Sequence, residues 1–71
     1  MQTNALISAL VFLERYFPPA IASNNLGVIY ERVGYPSKAR GMFPRALEHY
    51  SGLAVARRNL KRLETKEVRQ P

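Results

Sequence analysis

The residues able to do chemistry are few in this chain, and their spacing does not let them cooperate. His49 is the single histidine and lies between Glu48 and Tyr50. Acid–base work or metal ligation at His49 would need a second His, a Cys or an Asp held within reach. The sequence has no cysteine, no aspartate and no other histidine. Its five acids are all glutamates, at positions 14, 31, 48, 64 and 67, and no two are presented as an acid–base couple. No serine sits in a G-x-S-x-G turn, and Gly34 to Lys38 holds Gly, Ser and Lys without the spacing of a phosphate cradle. One histidine does not make a zinc site. These residues predict no catalytic group, no metal and no cofactor, and so a protein that is not an enzyme.

What remains is binding chemistry, and it is basic. Lys and Arg number 11 against 5 acids, a formal net charge of +6. The surplus is concentrated after residue 53, where Arg57, Arg58, Lys61, Arg62, Lys66 and Arg69 face only Glu64 and Glu67. Arg58 and Arg62 are four apart, as are Arg57 and Lys61, so on a helix they cover one broad side. Such a side is either a solvated cap or a phosphate-binding surface. No aromatic residue lies between Leu53 and Pro71 to stack on bases, which counts against nucleic acid.

These side chains must be carried by helices. A chain of 71 residues allows one domain, and without cysteine it has no disulfide staple. With 46% hydrophobic residues, the core depends on efficient helix packing. Pro18-Pro19 ends a first helix after Phe17. Ala22, Leu26, Ile29 or Tyr30, and Val33 then follow the spacing of one helix face. Gly34 ends that helix, Tyr35-Pro36 forms a turn, and Ser37 is read as the N-cap of a third helix. The third face is Ala39, Met42 or Phe43, Ala46, Leu47 and Tyr50, closed by Ser51-Gly52. Leu53, Ala56, Leu60 and Leu63 mark a fourth helix. The spacing predicts helices near 3–17, 20–33, 37–50 and 53–68, with no strands. Pro44, with Gly41 before it, contradicts the third helix locally at a cost of ~3 kcal/mol. It is read as a tolerated kink, with widening of the space around Phe43 as the functional alternative. The longest strongly apolar run, Ala5 to Leu13, spans nine residues and is interrupted only by Ser8, whereas a membrane span needs ~20. It also lacks the features of a secretory signal. A cytoplasmic protein without a membrane span is expected, either whole or as a piece of a longer chain.

The sequence repeats itself at a spacing of 34. Leu13-Glu14-Arg15-Tyr16 recurs as Leu47-Glu48-His49-Tyr50, Ala5 recurs as Ala39, and Ala22, Asn25 and Leu26 recur as Ala56, Asn59 and Leu60. A period of 34 is the length of a two-helix solenoid unit. Within residues 20–53, Leu26-Gly27, Tyr30, Ala39, Phe43 and Ala46 stand in the register of a tetratricopeptide repeat, which this stretch resembles. Ser23 departs from the bulky residue of that pattern, and Ser51 from its closing proline. The resemblance implies an all-α fold of antiparallel helix hairpins within an α-solenoid of about four helices, forming a single domain over 1–71. Residues 3–17 would be the second helix of a partial repeat, 20–53 a complete repeat, and 53–68 a capping helix. Gly27 and Ala39 would be small because two helices cross closely there.

The same resemblance implies a protein-binding scaffold whose concave face is lined by the first helix of each repeat. That places Ile21, Asn24, Asn25, Val28 and Arg32 in one row and Val55, Arg58, Arg62 and Lys66 in the next. Asn25 matches the asparagine with which some relatives clamp a carboxylate tail, but Val55 and Asn59 stand where that clamp needs Lys and Arg. The face should prefer a segment rich in acids, with an apolar residue set against Ile21, Val28 or Val55. The other partner class is a nucleoprotein assembly, with the last helix on RNA phosphates. The first helix carries Leu6, Ile7, Leu10, Val11, Phe12 and Leu13 on nearly every side and needs covering all round. A homo-oligomer packed through these residues, or a larger array, is therefore expected.

Overall fold

Proline opens the second and third helices, and glycine ends the second. In the computed structural model, which describes the backbone of residues 2–69 and the side chains of residues 5–66, the chain forms α1 (Gln2–Tyr16), α2 (Pro19–Arg32), α3 (Pro36–His49) and α4 (Ala54–Arg69). There is no strand among the described residues. α2 and α3 each begin with a proline in the first turn, where the missing N–H costs nothing and the fixed φ suits the helix. For α3 this corrects the expected start. Tyr35, not Ser37, is the N-cap; its carbonyl accepts the Ala39 N–H at 3.1 Å, and no side chain caps the helix. Pro36 is pre-set for the first helical position, so the helix begins before Ser37.

α2 ends in a Schellman arrangement. Gly34 takes φ +94°, the Gly34 N–H donates to Glu31 O at 3.3 Å, and the Tyr35 N–H donates to Tyr30 O at 2.8 Å. The Tyr30 and Tyr35 rings meet edge-on at 6.4 Å between centroids, which is the apolar contact that accompanies this cap. α3 runs unbroken through Pro44, and Phe43 beside it is fully buried. The alternative reading of Pro44, a kink that opens space around Phe43, is therefore wrong: the ring is sealed against α2.

The helices lie side by side in a slab of 35 × 32 × 13 Å, little thicker than one helix. α2 occupies the middle. It packs most extensively on α3, touches α1 along one flank, and meets α4 over a short stretch, while α3 also packs on α4. α1 touches α2 and no other helix among the described residues. Two apolar clusters result. Leu13, Ala22 and Leu26 form one, bordered by Leu10, Ile29, Tyr30 and Met42. Ala39, Phe43 and Leu63 form the other, bordered by Val28, Tyr30 and Leu60. Burying a side chain of Leu or Phe size stabilises by about 1.5–3 kcal/mol, so a few residues carry much of the fold. At the α2–α3 crossing, a Cβ built on Gly27 would lie 2.8 Å from Cδ1 and from Cζ of Phe43. The missing side chain is what lets the ring rest on α2.

Candidate binding groove

Polar side chains bridge α2 and α4. The Asn59 amide donates to Asn24 Oδ1 at 2.9 Å, and Asn59 Oδ1 accepts from Arg62 Nη1 at 2.8 Å. The Arg62 guanidinium also donates to the Glu31 carboxylate and forms an ion pair with it. Asn24 and Asn59 are buried at 5% and 8% exposure, and no buried side-chain polar atom among the described residues lacks a partner. Buried amides that are satisfied in this way fix one helix against the other, because breaking either bond leaves a costly unpaired group.

Above this bridge lies an open groove of about 590 Å3. Seven of the nine residues expected on the concave face line it: Asn24, Asn25, Val28, Arg32, Val55, Arg62 and Lys66. Glu31 and Asn59 complete the lining, whereas Ile21 and Arg58 are not part of it. The structure also redistributes the roles. Asn24 is buried and bonded to Asn59, so it is part of the scaffold rather than a free hydrogen-bonding group. Arg62 is engaged by Glu31 and Asn59. Arg32 and Lys66 are exposed at the groove, so its positive field comes mainly from them, since Glu31 offsets Arg62. Asn59 was absent from the expected site. Its signal was the recurrence of Asn25 at the 34-residue spacing, inside a helix face that is otherwise apolar.

Compared with family models, with curated proteins and with solved structures, the chain matches none.

α1 divides into two sets. Leu13 is buried, and Leu6 and Leu10 are half-buried, with Leu10 and Leu13 packed in the cluster beside α2. Ile7, Val11 and Phe12 remain exposed, Phe12 at 54%. The Phe12 ring meets Tyr16 at a tilt, 4.9 Å between ring centroids, and Phe17 edge-on at 6.1 Å, which makes an aromatic patch at the end of α1. Among the described residues, no cluster of three His, Asp or Glu is placed to hold a metal ion. No described helix is long and apolar enough to cross a membrane.

Proposed function

We infer that this chain is a tetratricopeptide-type, cytoplasmic protein-interaction module, not an enzyme, that takes an extended acidic segment of a partner in the α2–α4 groove. The observation supporting this reading is the convergence of Asn25, Arg32 and Lys66 beside Val28 and Val55 on one concave surface, over a floor tied by the Asn24–Asn59–Arg62 hydrogen bonds. A groove tied in this way spares the ligand part of the cost of ordering its receptor. Arg32 and Lys66 supply attraction and orientation, while the two valines accept an apolar side chain. The Asn25 amide can hydrogen-bond a peptide backbone.

Reversing Arg32 and Lys66 together to Glu tests this without touching the bridge, because both side chains are exposed. Each exposed ion pair contributes about 0.2–1 kcal/mol, and reversal replaces attraction by repulsion. A labelled peptide of alternating Glu and Leu should therefore bind the double variant about 10-fold or more weakly, with thermal stability unchanged. Equal affinity for parent and variant would remove the groove from consideration. Binding of a generic RNA with a steep loss in salt, unaffected by this variant but abolished by reversing Arg58 and Lys61, would favour the nucleoprotein reading instead.

The exposed flank of α1 supports a second proposal, self-association. Phe12 and Tyr16 on α1, with Phe17 just after it, form an apolar surface on a helix that touches α2 alone among the described residues. Sedimentation equilibrium should show a concentration-dependent mass above that of one chain, and Phe12→Glu should return it to the monomer. A well-folded parent monomer at micromolar concentration contradicts the proposal.

A further inference from the structure

The face of α2 opposite the groove is also hollowed. Ala22, Ser23, Leu26 and Tyr30 are offset from Asn24, Asn25, Val28 and Arg32 by about half a helical turn at 100° per residue. α1 and α3 flank that face without meeting each other. Between them lie two hollows. One of about 460 Å3 is lined by Ala22, Ser23, Leu26 and Met42 beneath Glu14, Arg45 and His49, among others. One of about 360 Å3 is lined by Leu6, Ile7, Val33, Tyr35 and Lys38. Leu10 and Tyr30 belong to both, so the two form one trough along the 14-residue α2.

The walls say what kind of segment fits. They are helix sides whose main-chain groups are bonded within the helices, so they offer no backbone edge to an extended peptide. A helix brings its own backbone already satisfied, so its side chains can meet both the apolar floor of Leu10, Leu26, Tyr30 and Met42 and the polar rim of Glu14, Arg45 and His49. The two hollows in series suit two bulky side chains about two turns apart, near 10 Å. The rims carry opposite charges. On α3, Lys38, Met42, Arg45 and His49 follow i, i+4, i+7 and i+11 spacing and share one face, and Lys38 lies over the Tyr30 and Tyr35 rings at 5.7 and 5.9 Å. On α1, Glu14 stands across from Arg45.

We propose that this trough docks an amphipathic helix of another protein, with apolar side chains in the two hollows, acids along the edge toward Lys38 and Arg45, and a base toward Glu14. A second copy of this chain fits poorly, since it carries 11 Lys and Arg against 5 Glu. The docking is independent of the α2–α4 groove.

Two synthetic helical peptides of the length of α2 test it by fluorescence anisotropy. Both carry the same apolar ridge; one has Glu and the other Lys along the flanking edge. The Glu peptide should bind with a Kd of about 10–100 μM, and the Lys peptide about 10-fold more weakly. In the Lys38→Glu, Arg45→Glu chain, whose substituted side chains are exposed, the order of the two should invert. The Arg32→Glu, Lys66→Glu chain should bind both as the parent does. No binding by either peptide, an order unchanged by Lys38→Glu and Arg45→Glu, or loss through Arg32→Glu and Lys66→Glu overturns the proposal. So does a chain that dimerises without peptide and becomes monomeric in the Lys38→Glu, Arg45→Glu form, which would put a second copy in the trough.

Discussion

Alanine at position 27 should destabilise the parent chain yet stabilise a chain in which Phe43 is leucine. In an exposed helix interior, Gly→Ala gains about 1 kcal/mol. At Gly27 the new methyl would meet a fully buried ring, with Cδ1 and Cζ of Phe43 at 2.8 Å. Overpacking of this kind costs about 1–3 kcal/mol and outweighs the helix gain. Phe43→Leu removes the Cε and Cζ atoms and leaves Cδ methyls that can turn away from position 27, so the propensity term then decides the sign. Phe43→Ala is harsher, at about 3–5 kcal/mol, comparable with all the stability a core of this size supplies; that chain should be unfolded at room temperature. Thermal denaturation followed by circular dichroism over the four combinations of positions 27 and 43 gives the coupling. The same sign for Gly27→Ala in both backgrounds would show that the close crossing of α2 and α3 is not what holds glycine at this site.

The buried amide bridge should behave in the opposite way from an apolar contact: one substitution should cost more than two. Asn24→Leu leaves the Asn59 amide without its acceptor at 2.9 Å, and Asn59→Leu strands Asn24 and also unseats Arg62. An unpaired buried amide costs about 1–3 kcal/mol, whereas replacing both partners by apolar groups of similar shape is nearly neutral. The double Leu chain should therefore be more stable than either single one. It should still bind the acidic peptide less well, because Arg62 loses one of its two anchors and the groove floor loses its fixed form. Additive destabilisation by the two substitutions would mean that the bridge contributes nothing as a pair.

The division between what was legible and what was not follows the range of the physics. Helix existence was local. Pro18-Pro19 and Pro36 punctuate the chain through fixed φ and missing N–H groups, Gly34 through its positive φ, and Ser51-Gly52 as a turn, and all four helices stand within about two residues of their expected bounds. The one cap misplaced, at Ser37, fell where two local signals competed and proline at the first helical position prevailed over a side-chain cap. The crossing at Gly27 was expected from the repeat-family resemblance rather than from the spacing itself, since the position 34 residues on is Lys61.

α1, apolar on nearly every side, left its inward face open, and Val33 and Tyr50, read as inward, are exposed. The sequence by itself determined the number of helices, their order, most of the inward residues of α2, α3 and α4, and the surplus of positive charge. These depend on periodicity and composition, which are properties of neighbours along the chain. Only the tertiary structure decided which polar side chains are free. Asn24 and Asn25 are adjacent and chemically identical, yet one is buried against Asn59 and the other lines the groove as a half-buried side chain. Arg32 and Arg62 read alike on their helices, yet Glu31 and Asn59 engage only the second. The trough over α2 was likewise invisible, since it arises from α1 and α3 standing apart. Hydrogen bonds and cavities between helices depend on distances of a few ångströms between residues some 30 positions apart, and only packing of the whole chain sets those distances.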